Sequence, residues 1–222
     1  MNNRFILEFK HLLLRDIALE FKQRYALNSV LLYVISTVFV CYLSFKSLTD
    51  VPTWNALFWI ILLFTSVNAA GKIFGTESRG RLLYYYSIAS AHALIAAKLV
   101  YSTLLILLLS IIGALIYFTL IGNPVQDMGF FILALLLGSS GFSGILTLVS
   151  AIAAKTRQNT TLMAILSFPV LLPMLLVVIR FSKNAVDGLD HSVQYPYLFA
   201  LLSMNVIVVA LSWILFPFLW RD

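Results

Sequence analysis

Six apolar runs, each about twenty residues or longer, leave this chain few folds to adopt. At 1.5 Å per residue, a helix of that length crosses a hydrocarbon core roughly 30 Å thick. Strands or loops would leave backbone hydrogen-bonding groups without partners in lipid. Hydrophobic residues make up 61% of the 222 residues and charged residues only 11%. The sequence therefore predicts a helical membrane protein without a separate soluble domain.

The expected fold class is an all-α membrane protein with six transmembrane helices and an N-terminal amphipathic interfacial helix. The whole chain is one transmembrane domain in this interpretation. The N-terminus lacks the short apolar core and small-residue cleavage site of a signal peptide, so the first span is expected to be retained. The interfacial helix covers residues 1–24, and the predicted spans are 28–48, 53–73, 93–121, 128–154, 160–179 and 195–220.

The interfacial helix is predicted from a narrow polar stripe at helical spacing. A wide apolar face occupies the rest of the helix, which is typical of a helix that lies in the membrane interface. An ordinary basic leader that keeps the N-terminus inside the cell is compatible with the same residues. The polar stripe contains Arg4, Glu8, His11, Arg15 and Lys22, and the apolar face contains Phe5, Phe9, Leu12, Leu13, Ile17 and Phe21.

Two spans carry features that predict close packing or bending. The fourth span has a cluster of small residues that includes Gly141 and Gly144. Small residues let membrane helices approach closely, so we favour packing over a substrate path. The fifth span has Pro169 and Pro173, which are expected to bend or break the helix, either as a moving hinge or as a fixed bend.

Positive charge predicts the orientation. Twelve of the 15 Lys and Arg residues fall on the side of the two termini, and three fall on the other side. This bias predicts cytoplasmic N- and C-termini. The net charge of +6 comes from the ends of apolar runs and not from one basic patch, so it does not indicate nucleic-acid binding.

Residues 71–98, between the second and third spans, form the most polar internal segment. Lys72, Arg79, Arg81 and Lys98 stand there against a single acid, Glu77. The centre of this segment is too polar for lipid and must face water. We expect residues 75–92 to form a cytoplasmic coupling segment, with a small-residue helix at about 82–97 lying along the membrane. The alternative is a basic loop that merely orients the neighbouring spans.

This sequence lacks the residues that several kinds of chemistry require. There is no phosphate-binding P-loop motif, no acid within a span and no Ser/His/Asp set, so ATP hydrolysis by this chain and ion-driven transport are both disfavoured. The single cysteine, Cys41, offers no disulfide. Asp187, Asp190 and His191 share one loop, but their spacing matches no defined metal-binding loop. What remains is the plan of a permease subunit that docks a separate ATPase.

Three local patterns, with the length and span order of nearly the whole chain, resemble heme exporter protein B, the CcmB family. The segment between the second and third spans has Glu77, Gly80, Leu82, Leu83 and then Ala97-Lys98. The fourth span has Gly141-Phe142-Ser143-Gly144, followed by the basic connection with Lys155 and Arg157. The fifth span, the most specific pattern, reads Leu166-Ser167-Phe168-Pro169-Val170-Leu171-Leu172-Pro173.

The resemblance implies a membrane subunit of an ABC-type complex in cytochrome c maturation, in the bacterial inner membrane. Its partners would be an ATPase (CcmA-like), a heme-handling membrane protein (CcmC-like), a small helical subunit (CcmD-like) and a heme chaperone (CcmE-like). ATP and heme would sit on those partners, and this chain would bind no cofactor. The expected ATPase-coupling residues are Glu77, Arg79, Gly80, Arg81, Leu82, Leu83 and Lys98, and the expected hinge or packing residues are Pro169, Pro173, Gly141 and Gly144.

One departure from the family affects the coupling segment. The family commonly has acids in a run for which this chain has Arg79-Gly80-Arg81-Leu82-Leu83. The partner surface is therefore expected to differ in charge. Two other functions fit the same architecture, namely an ABC-2-type permease for a lipid, a polysaccharide or a drug, and a membrane scaffold without transport.

Overall fold

The structure is a computed structural model that describes residues 2–22, 24–45, 50–71, 90–154 and 159–221. These residues form seven α-helices and no strand. The helices are α1 (Asn2–Lys22), α2 (Arg24–Ser44), α3 (Val51–Ala70), α4 (Ala91–Ile121), α5 (Met128–Ala153), α6 (Asn159–Val186) and α7 (His191–Arg221).

Five of these helices, α3 to α7, are long and apolar enough to cross a membrane. In α2 the apolar part is the 17 residues from Asn28 to Ser44, which is about 26 Å of helix and shorter than the other five. The all-helical membrane fold is thus confirmed, with five full-length spans and a shorter apolar helix in place of the first predicted span.

Helix boundaries follow local chemistry. Asp50, Ser90 and Asp127 each cap the next helix, because their side chains accept a hydrogen bond from a backbone N–H in its first turn. Gly122 ends α4 with φ of 102°, a conformation that favours glycine. Around the last loop the boundaries differ from the prediction, since α6 continues to Val186 and α7 begins at His191.

Helix α4 begins earlier than expected. Residues 91–97 were expected to lie along the membrane, yet they form the first two turns of one continuous helix that ends at Ile121. Its 31 residues measure about 46 Å, well beyond the hydrocarbon thickness. The described part of the predicted coupling segment, Ser90 to His92, is therefore the start of α4.

Helix α5 lies at the centre of the bundle and packs against α3, α4, α6 and α7. Its glycines allow this. A Cβ on Gly138 would lie 2.7 Å from the ring of Trp59 and 2.9 Å from Val178, and one on Gly144 would lie 2.8 Å from Val208. At Gly141 the neighbour is the terminal methyl group of Met174. Because glycine has no side chain, three neighbouring helices can pack closely against α5 at these positions.

Hydroxyl groups join α4 to α5 inside the bundle. The Ser102 hydroxyl lies 2.7 Å from those of Ser143 and Thr147, and Ser139 donates to Ser110 at 3.0 Å. These groups are buried, so their hydrogen bonds satisfy polar atoms that have no water nearby. They fix the position of α4 against α5.

Helix α6 runs without a break through Pro169 and Pro173. The expected break is therefore absent, although each proline still removes one backbone donor from the helix. At its far end α6 is held by α3. The Asn55 amide donates to the Ile179 carbonyl at 2.8 Å, and the Trp59 indole donates to the Ser182 hydroxyl at 2.6 Å.

Candidate functional site at the junction of α1 and α4

Helix α1 runs parallel to the first three turns of α4. Three polar contacts join Glu8 to Ser90, Asp16 to Lys98 and Glu20 to Tyr101. The partners in these contacts are separated by 82, 82 and 81 residues, so the two helices keep a constant register. We call this set of six residues the α1–α4 clamp.

The central contact of the clamp is a buried ion pair. Lys98 Nζ lies 3.2 Å from Asp16 Oδ2, and both side chains are less than 5% exposed. Arg15 donates to the other carboxylate oxygen, with Nη2 at 2.6 Å. Two opposite charges can remain buried when they are paired and hydrogen-bonded, whereas removing one partner is strongly destabilising. The ion pair therefore ties α1 to α4 firmly.

The contacts on either side extend the clamp. The hydroxyl of Tyr101 donates to Glu20 Oε2 at 2.7 Å, toward the C-terminal end of α1. Toward its N-terminal end, the backbone N–H and the hydroxyl of Ser90 donate to Glu8 Oε2 at 3.0 and 2.9 Å. Ser90 is the N-cap of α4, so the Glu8 carboxylate also lies at the positive end of that helix dipole.

These hydrogen bonds affect the ionisation of Glu8. The backbone N–H of Ser90, helped by its hydroxyl and by Arg4, lowers the pKa of Glu8 below its ordinary value of 4.5. Since the folded pKa is below the unfolded one, the contact contributes stability fully above the unfolded pKa. That stability is lost as the pH falls through the folded pKa. Because this pKa lies below 4.5, the Glu8 carboxyl is charged at neutral pH.

The N-terminal end of α1 also contacts α7. The ring of Phe5 packs edge-on against Trp213 with centroids 6.1 Å apart, and the ring of His92 lies 4.9 Å from the same indole. The start of α4, the start of α1 and the last third of α7 therefore meet at one end of the bundle.

The expected coupling residues fall into two groups. Glu77, Arg79, Gly80, Arg81, Leu82 and Leu83 lie outside the described residues, which stop at Gly71 and resume at Ser90. Lys98 is described, and its place differs from the prediction. It is 3% exposed inside the clamp, because the α1 carboxylate lies opposite it, so its charge is not presented to a partner.

The sequence interpretation missed four clamp residues, Asp16, Glu20, Ser90 and Tyr101. It placed Glu8 on the polar stripe and missed its contact with Ser90. One feature of the sequence could have pointed to Asp16. Asp16 follows Leu12 by four residues, on the face that also carries Phe5 and Phe9, so an acid interrupts an apolar face. Such an acid needs a cation from another helix, and Lys98 is the basic residue at the start of the third predicted span.

The loop with Asp187, Asp190 and His191 has a different role. His191 Nε2 lies 3.3 Å from Asp127 Oδ2, and the imidazole ring lies 4.9 Å from Phe130. Within the described ranges, no three His, Cys, Asp or Glu side chains come close enough to hold a metal ion. The contacts of His191 instead join the start of α7 to the start of α5.

We expect Glu8→Gln to loosen the start of α4. Losing the charge-assisted contact with Ser90 should cost about 1 kcal/mol, which corresponds to roughly fivefold faster hydrogen exchange at the Ala93 and Leu94 amides. Arg4→Gln is the matched control, because it removes the Arg4–Glu8 pair and leaves the Ser90 contact in place. Equal hydrogen exchange in the two variants would show that Glu8 does not stabilise the start of α4.

A bundle of long apolar helices around a glycine-rich central helix, with an amphipathic helix clamped to one end, defines a multi-pass helical membrane protein. The sequence pattern of the CcmB protein family matches residues 7–217. The chain therefore belongs to the CcmB family, and the resemblance expected from the sequence is confirmed. No curated protein and no solved structure matches it.

Family membership gives a functional class. The chain is the permease-type membrane subunit of a heme exporter ABC system in cytochrome c maturation. An ABC system of this kind is a complex, so the chain acts with partner subunits.

Proposed function

We propose that this subunit couples ATP hydrolysis on a separate ATPase subunit to heme export or to release of a heme-loaded chaperone. The observation that carries this proposal is the α1–α4 clamp, which begins at Ser90, the first described residue after the basic segment 72–89. A partner that pushes on that segment would move α4 and α1 together, since buried and charged contacts join them.

The movement would pass into the bundle through the hydroxyl contacts between α4 and α5. Ser102 lies on α4 just beyond the clamp, one turn from Lys98. Its hydroxyl contacts those of Ser143 and Thr147 on α5. Tightly packed helices shift as rigid bodies more readily than they deform, so a tilt of α3 and α4 is the expected response. The prolines of α6, Pro169 and Pro173, would accommodate the tilt, because two backbone hydrogen bonds are missing there.

The partners we propose follow the family. They are a CcmA-like ATPase, a CcmC-like heme-handling membrane protein, a small CcmD-like helical subunit and a CcmE-like heme chaperone. ATP and heme would be bound by those subunits and not by this chain. The inner-membrane location we propose also follows the family. The charge distribution supports an orientation with both termini and the segment 72–89 in the cytoplasm, next to the ATPase.

Charge reversal in the segment 72–89 tests this proposal. We expect Glu77→Arg, Arg79→Glu or Arg81→Glu to lower recovery of the ATPase with the purified subunit by tenfold or more, because like charges across an interface cost several kcal/mol. Quantitative mass spectrometry of the co-purified ATPase measures the effect. Arg180→Glu is the control, since Arg180 is exposed near the opposite end of α6. Unchanged recovery in all three variants would refute the contact.

A further inference from the structure

Three buried polar side chains hold α3 to α6 at the end of the bundle opposite the clamp. The Trp59 indole donates to the Ser182 hydroxyl, which in turn donates to Asn55 Oδ1 at 2.8 Å. The Asn55 amide donates to the Ile179 carbonyl of α6. Asn55, Trp59 and Ser182 are each 0% exposed, so breaking one of these bonds would leave a polar atom without a partner and out of reach of water. We call these three residues the α3–α6 lock.

Further hydrogen bonds close the same end of the bundle. The Trp54 indole donates to the Gly122 carbonyl at 3.1 Å, and the Tyr117 hydroxyl donates to the Trp54 carbonyl at 2.8 Å. These two bonds join α3 to the end of α4. The last turn of α6 is bonded to the loop before α5, since the Asp127 N–H donates to the Ala185 carbonyl at 2.9 Å. The ends of α3, α4 and α6 and the start of α5 are therefore fixed to one another.

Toward the clamp, α3 and α6 meet through apolar side chains. Phe64 of α3 contacts Phe168 of α6 with ring centroids 6.0 Å apart, and Phe64 is 40% exposed. Among the residues that the structure describes, every side-chain hydrogen bond between α3 and α6 belongs to the lock. Apolar contacts impose no donor and acceptor geometry, so the two helices can shift against each other more easily at the clamp end.

The two prolines of α6 lie between these regions. Neither Pro169 nor Pro173 has an N–H, so the helical bonds to the Ile165 and Pro169 carbonyls are missing. A helix bends most readily where such bonds are lost. The part of α6 that follows Pro173 is held by the lock, and Phe168, just before the prolines, contacts α3 through its ring.

We propose that the α3–α6 lock is the pivot of the coupling movement and that Asn55, Trp59 and Ser182 are its positioning residues. This inference rests on the proposed function and adds the point about which the helices turn. The clamp end of α3 would swing against α6, and the prolines would let the clamp half of α6 yield while its locked part stays in place. Asn68 lies about 20 Å along α3 from Asn55, so a tilt of about 10–15° would move it by about 3–5 Å.

Distances between spin labels, measured by double electron–electron resonance on the assembled complex, test the pivot. The background is Cys41→Ser, which removes the native thiol. Labels at Asn68→Cys and Ile165→Cys report on the clamp ends of α3 and α6, and labels at Ile60→Cys and Leu176→Cys report on the level of the lock. All four positions are exposed. When a nonhydrolysable ATP analogue is added, we expect the clamp-end distance to change by about 3–5 Å and the lock-level distance by less than about 1 Å.

The two distances separate the failure of the pivot from the failure of the proposed function. Equal changes at both levels would show that α3 moves past α6 as a whole, which would overturn the pivot and leave coupling to the ATPase intact. No change at either level would contradict the coupling itself, and the pivot with it.

A matched pair of serine substitutions tests the lock. Ser182→Ala removes the acceptor of the Trp59 indole, whereas Ser66→Ala removes another buried hydroxyl, one that donates within its own helix to the Leu62 carbonyl at 2.7 Å. We expect the lock-level distance to change by about 2 Å or more with the ATP analogue in Ser182→Ala, and to stay constant in Ser66→Ala. A constant distance in both variants, or the same change in both, would overturn the assignment of Ser182.

Discussion

Replacing Asp16 by Leu is expected to destabilise the folded chain by about 3–5 kcal/mol, because Lys98 would stay buried without the carboxylate opposite it. Unfolding of the purified subunit by titration with a denaturing detergent measures this loss. Lys10→Gln is the matched control. Lys10 is exposed on the same helix and outside the clamp, so losing its charge should matter much less.

A double variant separates the charge from the packing. Asp16→Leu/Lys98→Met replaces the buried pair by apolar side chains and should recover most of the lost stability, since buried ion pairs are often no more stabilising than well-packed apolar residues. If Asp16→Leu costs less than about 1 kcal/mol, or if the double variant is no more stable than Asp16→Leu, the ion pair does not hold α1 to α4.

The second large effect is expected at the glycines of α5. Gly138→Ala should destabilise the bundle by about 1–3 kcal/mol, because the new Cβ would lie 2.7 Å from the buried ring of Trp59. Gly141→Ala should cost less. Its neighbour is the flexible end of Met174, which can rotate away. The same detergent titration compares the two variants.

Gly129→Ala provides the reference for these substitutions. Gly129 is exposed in the first turn of α5, and a Cβ there would lie 3.4 Å from an Asp127 oxygen, so alanine should be tolerated. A variant order in which Gly141→Ala is worse than Gly138→Ala would mean that α5 does not pack against Trp59 as described.

The helices themselves were predictable because long apolar runs admit only one kind of secondary structure in lipid. The same reasoning failed at their ends. Apolarity shows where a helix can cross the hydrocarbon core, but α4 begins at Ala91 because Ser90 caps it and α1 packs beside it. Likewise α6 continues to Val186, where polar residues lie outside the apolar run but remain helical.

The clamp was less predictable than the spans. Its three contacts join residues more than 80 positions apart, and their register depends on how α1 packs against α4. Judged from the sequence alone, Lys98 is a cation next to a basic segment, and such a residue is expected at the surface. Only the position of Asp16 on the neighbouring helix shows that this cation is buried and paired.

Site-specific photo-crosslinking tests most directly the claim that the ATPase contacts this subunit at the segment 72–89 and transmits its movement there. A photoreactive amino acid is placed at Leu83 in this segment or, as the control, at Leu189, which is exposed at the opposite end of α6. The assembled complex is then irradiated, and the crosslinked chains are identified by mass spectrometry. The account predicts that position 83 crosslinks to the ATPase and that position 189 does not. Crosslinking of the ATPase at position 189, or its absence at position 83 in a complex that contains the ATPase, would contradict the account.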